Sequence, residues 1–380
     1  MNLVHICSDY SNQSLYKNMV TSLAGNKISQ IVFVPTRTSS EVNKYKIESK
    51  DTRVIYRHIL RKMHRILFNR KIGLIFSVIK REVSLDKSGL IHSHFLFSDG
   101  AVALKIKKEY NIPYVVTVRN TDINIFFKYL YHLRSKGEEI LLNAEKIIFI
   151  TPKYKELLLD KYVAKKYYDI ISQKVVTIPN GIDDFWLRNK NDIDSAAGID
   201  TIRLLYVGDF TPNKNIKAIV ESVVELYSDG VSIHLTIVGG GGYNSRFTEN
   251  LLNKVDKSLV TVLERTADKQ ELLDIYRRNN LFIMPSFRET FGIVYLEAMS
   301  QGLPIIYTQN QGIDGYFSIR SPGYPVDPYS INDIKSKILL SFNNYEELSS
   351  NALYQVDNFA WKDISGKYRE LYSNCINNYK

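Results

Sequence analysis

The sequence contains only two cysteines, Cys7 and Cys375, which stand near opposite ends of its 380 residues. They offer neither the paired spacing of a metal site nor a disulfide framework, and this scarcity is typical of a protein from a reducing compartment. No apolar run approaches the roughly 20 residues of a membrane-spanning helix. The first residues, MNLVHIC, resemble a strand rather than a signal peptide. We therefore expect a cytoplasmic protein.

The composition is that of an ordinary globular protein with an excess of positive charge. Hydrophobic residues make up 44% of the chain and charged residues 24%, and the length is sufficient for two domains with full-size cores. The formal net charge is +10, and lysine and arginine are concentrated in the first half. Such an excess favours nucleic acid, an anionic membrane or a polyphosphate as partner. Nucleic acid is the weakest of these, because no RNA- or DNA-binding signature is present.

Short apolar runs alternate with helix-length segments in both halves of the chain. This alternation predicts βαβ units and a parallel sheet in each half. The stretch 181–202 is rich in Asp and Asn and has no apolar periodicity, so we expect the interdomain linker there. A final amphipathic helix is predicted over 357–373. The predicted strands are 3–7, 31–34, 54–56, 90–93, 114–118, 146–151, 175–179, 203–207, 233–238, 260–263, 281–284 and 303–307.

The segment 281–304 (LFIMPSFRETFGIVYLEAMSQGLP) combines a buried strand, a polar loop, a helix and the start of the next strand. Gly302 and Pro304 end the helix. Glu289 would lie in the loop at the start of the helix, and Glu297 about two turns further along. Ligands of α/β sheets bind at the carboxyl ends of strands beside helix N-termini. Acidic residues are also favoured there by the helix dipole alone.

The sequence PSFRETFGIVYLEAMSQGLPII, at 285–306, closely resembles the E-x7-E segment of retaining glycosyltransferases of the family 4 type. The match includes the Pro-Ser before the first Glu, the Phe-Gly after it, and Glu-Ala-Met followed by Gly-x-Pro. The resemblance implies the α/β GT-B fold, with two facing Rossmann-like domains and an interdomain cleft. It implies an acceptor-binding domain at 1–182, joined by a returning C-terminal helix at 358–380, and a nucleotide-sugar-binding domain at 200–357.

The same resemblance suggests roles for residues of the second domain. Glu289, a candidate catalytic residue, would hydrogen-bond the hydroxyls of the donor sugar, and Glu297 would hydrogen-bond the ribose. Lys214 and backbone amides at the helix N-terminus would stabilise the departing diphosphate. Relatives often carry Arg directly after the glycine that ends the first strand, but this chain has Asp209 there, and Arg288 is a candidate substitute. The candidate donor-binding residues are Lys214, Gly208, Arg288, Thr290, Phe291, Gly292 and Glu297.

Two histidines, His92 and His94, follow a predicted strand and precede a predicted helix. Their spacing places both on one side of an extended chain, and without a third ligand nearby a structural role is the default interpretation. The stretches IHSHFLFSDGAVAL and IPYVVTVRNTDIN nevertheless resemble first-domain motifs of the same family, which makes His94 and Asp122 candidate catalytic residues. Arg119 and Asn120 stand where relatives have His and Gly, and Arg119 is an acceptor-side candidate for contact with an anionic group.

Three other motifs give little support for a role in donor binding. The loop 8–14 lacks the glycine pair with which many relatives approach the donor diphosphate. The turn at 180–183 (NGID) matches the family but is also an ordinary turn signal, and Gly239 to Gly242 lacks dinucleotide-binding spacing.

No metal is implied by the sequence. Asp192-x-Asp194 formally fits a metal-binding D-x-D pattern but falls in the predicted linker, so we interpret it as coincidental. Lys214 and helix termini would compensate the charge of the diphosphate without a divalent cation. We therefore expect no cofactor beyond the donor substrate, a UDP- or GDP-sugar.

The segment 57–81 (RHILRKMHRILFNRKIGLIFSVIKR) has apolar residues at helical intervals with cations between them, and it predicts a basic amphipathic helix. Such a helix is typical of an element that binds an anionic membrane surface. It is equally typical of a core-facing helix with a solvated cationic outer side. Both alternatives stay open at this stage.

Together these features predict transfer of a hexose-type sugar from a nucleotide-sugar to a glycan or a lipid-linked oligosaccharide. The abundance of Lys, Asn, Ile and Tyr suggests a bacterial origin, and the basic first domain suggests peripheral attachment to the inner face of the plasma membrane. Capsule or lipopolysaccharide synthesis would fit both. Two alternatives are a nucleotide-sugar epimerase, which the two-Glu motif disfavours, and a non-catalytic partner subunit, which Asp209 and the missing glycine loop suggest.

Overall fold

The computed structural model describes residues 1–25, 28–191, 200–243 and 245–379. The chain divides into two α/β units. The first comprises Met1–Gly181 together with Trp361–Lys380, and the second comprises Ile182–Ala360. None of the described helices combines the length and the apolar content needed to cross a bilayer.

The first unit is built on a seven-stranded parallel sheet with the strand order β3-β2-β1-β4-β5-β6-β7. The order reverses between β1 and β4, which is the switch point of a doubly wound sheet. The central strands β4 and β5 are buried along their whole length, so they appear in the sequence as continuous apolar runs. The strands are β1 (Asn2–Ile6), β2 (Ser29–Thr36), β3 (Thr52–His58), β4 (Leu90–Ser93), β5 (Tyr114–Val118), β6 (Lys146–Phe149) and β7 (Val175–Thr177).

The second unit has a six-stranded parallel sheet with the order β10-β9-β8-β11-β12-β13, and its switch point lies between β8 and β11. The edge strand β13 was not predicted, because its sequence GYPV contains a glycine and a proline that are rare inside strands. The strands are β8 (Ile202–Gly208), β9 (Ile233–Gly239), β10 (Val260–Leu263), β11 (Leu281–Met284), β12 (Ile305–Thr308) and β13 (Gly323–Val326).

Helices follow most of the strands and cover the sheets. In the first unit they are α1 (Ser14–Leu23), α2 (Phe68–Glu82), α3 (Ser98–Tyr110), α4 (Arg134–Asn143), α5 (Pro152–Lys161), α6 (Tyr168–Ser172) and, after the second unit, α14 (Trp361–Tyr379). In the second unit they are α7 (Asp184–Arg188), α8 (Ile216–Ser228), α9 (Ser245–Leu252), α10 (Lys269–Arg277), α11 (Ile293–Ser300), α12 (Ile331–Asn343) and α13 (Tyr345–Val356).

The prediction of one continuous helix over 57–81 is wrong in its first part. Strand β3 runs to His58, paired with Thr36 of β2, a 3-10 turn covers Lys62–Arg65, and α2 begins only at Phe68. Pairing within the sheet therefore overrides the helical spacing of the apolar residues before α2.

Helix α2 places its apolar face in the core of the first unit. Ile72, Ile75 and Ile79 are buried there, as expected for a core-facing helix with a solvated outer side. That face is not available to a membrane. In the turn before the helix, Met63 and Ile66 are exposed.

The predicted linker at 181–202 contains a helix that the sequence did not suggest. Asp183 caps α7 by accepting a hydrogen bond from the backbone N–H of Phe185 at 3.0 Å, and Trp186 is buried. The prediction failed here because α7 is a single turn, too short for apolar periodicity to be visible. Asp192-x-Asp194 lies outside the described residues.

The C-terminal helix α14 belongs to the first unit, and it begins at Trp361 after a 3-10 turn at Asp357–Phe359. The hydroxyl of Tyr372 on α14 lies 2.7 Å from Nδ1 of His92 on β4. Trp361 packs so closely against Gly181 that a Cβ there would lie 2.4 Å from the indole ring. Both Cys7 and Cys375 are buried free thiols.

This close approach predicts that Gly181→Ala destabilises the first unit. Because the added methyl group would overlap the Trp361 ring, we expect the free energy of unfolding in urea to fall by about 1–3 kcal/mol. The control is Gly73→Ala, since Gly73 lies within α2 with no neighbouring atom within 4 Å of an added Cβ. That control should gain about 0.5–1 kcal/mol from helix propensity. Equal effects of the two substitutions would contradict the packing described.

Candidate functional site

An ion pair connects two loops of the second unit at the switch point of its sheet. Lys214 ends the 3-10 turn Pro212–Lys214 after β8, and Glu289 lies in the loop after β11. Because β8 and β11 are parallel neighbours, their carboxyl ends meet at one edge of the sheet. Lys214 Nζ lies 2.7 Å from Glu289 Oε2, and the side chains are only 22% and 12% exposed. Two oppositely charged, mostly buried side chains are therefore held together at the carboxyl edge of the sheet.

Hydrogen bonds hold the loop that carries Glu289. Glu289 Oε1 accepts a hydrogen bond from the backbone N–H of Thr290 at 2.9 Å. The backbone carbonyl of Glu289 accepts one from the backbone N–H of Gly312 at 3.1 Å. Asn213 Nδ2 donates to the backbone carbonyl of Arg288 at 2.8 Å. The backbone carbonyl of Asn213 accepts a hydrogen bond from the backbone N–H of Phe287 at 2.9 Å. The carboxylate is thus held in place by the protein itself.

A glycine begins the helix next to this carboxylate. Gly292 has a φ of +82°, and a Cβ at this position would lie 2.4 Å from the ring of Tyr295. The Tyr295 hydroxyl donates to the carbonyl of Met284 at 2.6 Å, which fixes the ring. Only glycine combines this backbone conformation with this clearance. The N-terminus of α11, which favours anions through its N–H groups and dipole, is therefore held beside the loop, with Phe291 buried below it.

Glu297 lies further along α11 in a partly buried position. The hydroxyl of Tyr276, on α10, donates to Glu297 Oε2 at 3.1 Å. Burial raises the pKa of the Glu297 carboxyl to about 7. The hydrogen bond from Tyr276 opposes this shift, Asp183 adds to it, and Lys269 opposes it weakly. A carboxyl group oriented by a buried tyrosine and titrating near neutrality is suited to accept hydrogen bonds from a polar ligand.

The structure also identifies a cation that sequence reasoning missed. Asp209, which directly follows Gly208, pairs with Arg265 at 3.0 Å, and both side chains are largely exposed. Arg265 stands after β10, 56 residues away in the sequence, so no local motif could have indicated it. The predicted substitute, Arg288, is exposed in the loop before Glu289. Many relatives carry an arginine where this chain has Asp209. Arg265 is thus a second candidate, besides Arg288, for supplying that positive charge.

In the first unit, His94 belongs to a buried chain of histidines. His5 Nε2 lies 3.1 Å from Gln30 Oε1, which can only accept, so His5 carries its proton on Nε2. His5 Nδ1 then accepts from His94 Nε2 at 3.0 Å. This leaves His94 Nδ1 as a buried acceptor without a partner among the described residues. Burial lowers the pKa of all three imidazoles, His5 to about 4, and keeps them neutral.

His5, His92 and His94 bring three nitrogen ligands within 4.8 Å of one another, a grouping that the sequence did not reveal. The ring centroids of His92 and His94 are 4.1 Å apart with an interplanar angle of 26°. Metal ligation uses the in-plane lone pairs, which do not converge from stacked rings. Both nitrogens of His92 also bond hydroxyls, those of Tyr372 and Thr117. The trio is better suited to a hydrogen-bonded core than to metal binding.

Asp122 and Arg119 lie beside this chain. The Asp122 carboxylate accepts three backbone N–H groups, from Leu96, Phe97 and Arg119, at 3.0–3.2 Å. Burial raises the pKa of Asp122 to about 6. Arg119 Nε donates to the carbonyl of His94 at 3.0 Å. The structure therefore brings the three first-unit candidates together, and it gives Asp122 a role in fixing two loops that needs no substrate.

The glycine-free loop 8–14 is held by an aspartate. The backbone N–H of Ser8 donates to Asp99 Oδ2 at 3.2 Å, and its hydroxyl donates to Oδ1. Asp99 is buried in the first turn of α3, and burial raises its pKa to about 7. The start of the loop is thus fixed to the protein core.

Two family models match the chain, one for each unit. Residues 13–184 match the model described as Glycosyltransferase Family 4, and residues 188–354 match that of Glycosyl transferases group 1. The chain belongs to these glycosyltransferases. The E-x7-E resemblance is thereby confirmed at the level of family, and the protein is a glycosyl-transferring enzyme.

Individual relatives agree with this assignment. An uncharacterized glycosyltransferase from Methanocaldococcus jannaschii is 25% identical over 78% of this chain and 78% of its own length. The solved sucrose-phosphate synthase from Thermosynechococcus elongatus superposes with a TM-score of 0.76 at 19% identity, over 98% of each chain. The Anabaena protein HepE, solved with UDP-glucose, gives 0.71 at 13% identity over 98% of this chain and all of its own. These structures confirm the GT-B fold.

The raised pKa of Glu297 predicts a pH-dependent effect of Glu297→Gln. The folded-state value of about 7 lies above the ordinary 4.5, so the folded wild type binds this proton more tightly than the unfolded chain does. Wild-type stability therefore falls as the pH rises through this window. Glutamine cannot ionise, so the variant should gain on the order of 1–3 kcal/mol relative to wild type between pH 5 and pH 8 in urea unfolding.

The matched control is Glu249→Gln, an exposed position in the same unit. Its difference from wild type should stay nearly constant over the same pH range. If the Glu297→Gln difference is equally constant, the buried environment assigned to Glu297 is wrong.

Proposed function

We propose that this glycosyltransferase moves a hexose-type sugar from a UDP- or GDP-sugar with retention of configuration, and that the second unit holds the donor. The observation that carries the proposal is the pairing of Lys214 with Glu289 beside the N-terminus of α11. Cation, carboxylate and backbone N–H groups are the partners that a sugar diphosphate needs. The HepE structure with UDP-glucose supports a donor of this class on the same fold.

In this scheme the leaving diphosphate is stabilised by positive charge. Lys214 and the first N–H groups of α11, next to Gly292, would hold phosphate oxygens as negative charge develops on them. Arg265 or Arg288 would add a second cation. Because these groups are fixed by the fold, they require little reorganisation during the reaction, and no divalent metal is needed for charge compensation.

The two carboxyl groups would recognise the sugars of the donor. Glu289, held by the N–H of Thr290 and by Lys214, would accept hydrogen bonds from the hydroxyls of the transferred sugar. Glu297, oriented by Tyr276, would bind the ribose hydroxyls. No separate general base is assigned, since a phosphate oxygen of the leaving group is itself able to take the proton of the acceptor hydroxyl.

The acceptor would be a glycan or a lipid-linked oligosaccharide destined for a bacterial surface polymer such as capsule or lipopolysaccharide. The net charge of +10 and the exposed Met63 and Ile66 among cations of the 3-10 turn before α2 support action at an anionic membrane surface. We therefore propose that the enzyme acts in the cytoplasm at the inner face of the membrane.

The donor site is tested by isothermal titration with UDP and with GDP, first in EDTA and then with magnesium. We expect one nucleotide to bind with micromolar affinity in EDTA, and Lys214→Ala to weaken it at least tenfold, or about 1.4 kcal/mol. The control is Lys217→Ala, which removes an exposed lysine from the adjacent helix α8. Absence of binding by either nucleotide, or equal affinity in both variants, would argue against this site.

A further inference from the structure

The first unit contains a cavity of about 700 Å³ that the donor scheme does not use. Its walls come from the loops after β1 and β2, from the 3-10 turn before α2 and α2 itself, and from the π-helical segment Asp122–Phe127 with the chain that follows it. This volume is large enough for a small-molecule ligand. One part of the lining is cationic and another part is apolar.

A buried lysine forms the centre of the cationic part. Lys71 on α2 is only 6% exposed, and its Nζ donates to Ser98 Oγ at 2.6 Å. Within the described residues no carboxylate lies within ion-pair distance of it, although Asp99 and, to a smaller extent, Asp122 are near enough to favour its charged form. Burial lowers its pKa to about 8. An ammonium group held in this way is unfavourable unless something else compensates the charge.

Two arginines, Arg37 and Arg65, line the same cavity. Arg37 follows β2, and its Nη1 is buried without a hydrogen-bond partner among the described residues. Burial and the charge of Arg65 both lower the pKa of Arg37, and Arg37 in turn disfavours the charged form of Lys71. Like charges are thus collected around one space, where the addition of an anion would relieve their repulsion.

The acidic residues of the lining only partly offset the charge of this cluster. Asp9 accepts hydrogen bonds from the side-chain amides of Asn12 and Gln13 at 2.6 and 3.3 Å. Glu41 accepts the backbone N–H of Arg37 at 2.8 Å. Both carboxylates accept hydrogen bonds from uncharged donors. The charge of Glu41 also favours the ionised form of Arg37, but no ion pair forms between these two residues, so an additional anion would find its strongest partners at Lys71 and Arg37.

The apolar part of the lining includes side chains exposed to an unusual degree. Ile66 is 86% exposed and Ile125 is 48% exposed, and both line the cavity together with Phe126 and Leu130. Large aliphatic side chains exposed beside a cavity indicate contact with an apolar ligand more than with a sugar.

We propose that this cavity binds the acceptor, and that the acceptor carries a phosphate group joined directly to an apolar chain. The phosphate lies between Lys71 and Arg37, and the chain lies against Ile66 and Ile125. The inference rests on the proposed function, since it names the acceptor class of the same enzyme. A phosphate suits a site with several cations, because arginine binds its oxygens in a bidentate manner and lysine adds a point charge.

The test measures the binding of three probes by isothermal titration below the micelle concentration: dodecyl phosphate, inorganic phosphate and the uncharged dodecyl glucoside. Dodecyl phosphate should bind at least tenfold more tightly than either of the others. Lys71→Met should weaken dodecyl phosphate at least tenfold. Ile66→Ser should weaken dodecyl phosphate but leave inorganic phosphate unchanged. The control, Arg70→Met, removes the exposed neighbouring cation on α2 and should leave all three affinities unchanged.

Thermal melting separates a binding role of Lys71 from a structural one. If the lysine is kept for a ligand, Lys71→Met should melt without ligand at the same temperature as wild type or higher, because an unpaired buried charge is removed. If the lysine supports the fold, the variant should melt at a lower temperature, and this would overturn the assignment.

Two binding results would also overturn the inference. Equal affinity for dodecyl phosphate and dodecyl glucoside would refute the anion site, and equal affinity for dodecyl phosphate and inorganic phosphate would refute the apolar part. Titration of the same preparation with UDP and GDP distinguishes a failure of the acceptor cavity from a failure of the donor site. Nucleotide binding without dodecyl phosphate binding contradicts this inference alone, whereas loss of nucleotide binding contradicts the proposed donor site.

Discussion

The ion pair between Lys214 and Glu289 is the interaction on which the candidate site of the second unit depends. It joins residues 75 positions apart in the sequence, and it can form only because β8 and β11 are neighbours at the switch point of the sheet. Asn213 and the backbone of Gly312 hold the same loop. The fold therefore concentrates one cation, one carboxylate and one helix N-terminus where a sugar diphosphate can use them together.

The buried polar groups of the first unit differ in how completely the protein satisfies their hydrogen-bonding capacity and charge. His5, His92 and Asp122 are satisfied by hydrogen bonds to other groups of the protein, which fixes loops at the carboxyl ends of the strands. Lys71 and Arg37 are not satisfied to the same extent and face a cavity. Buried groups whose hydrogen bonds are satisfied within the protein stabilise the fold. Groups that are incompletely satisfied and line a cavity are expected to bind a ligand.

Much of this architecture could be predicted from the sequence, because buried parallel strands form continuous apolar runs and all twelve predicted runs are strands. The loop that carries Glu289 could be singled out as a candidate site because Glu289 and Glu297 belong to one local motif. Two failures had local causes, since α7 is a single turn and β13 contains a glycine and a proline. The other features that were missed depend on distant partners. β3 extends into the predicted helix because it pairs with β2, His5 meets His94 across 89 residues, and Arg265 reaches Asp209 across 56. No local spacing records such contacts.

Nucleotide release tests most directly whether Lys214 and Glu289 belong to a working transferase site. Purified protein would be incubated with a panel of UDP- and GDP-sugars, and the free nucleoside diphosphate measured with and without a glycan or lipid-phosphate acceptor. We expect slow release from one nucleotide class, faster release when an acceptor is added, and at least a hundredfold slower release in Glu289→Gln. Binding of a nucleotide-sugar without release under any condition would contradict the account and indicate a non-catalytic partner subunit.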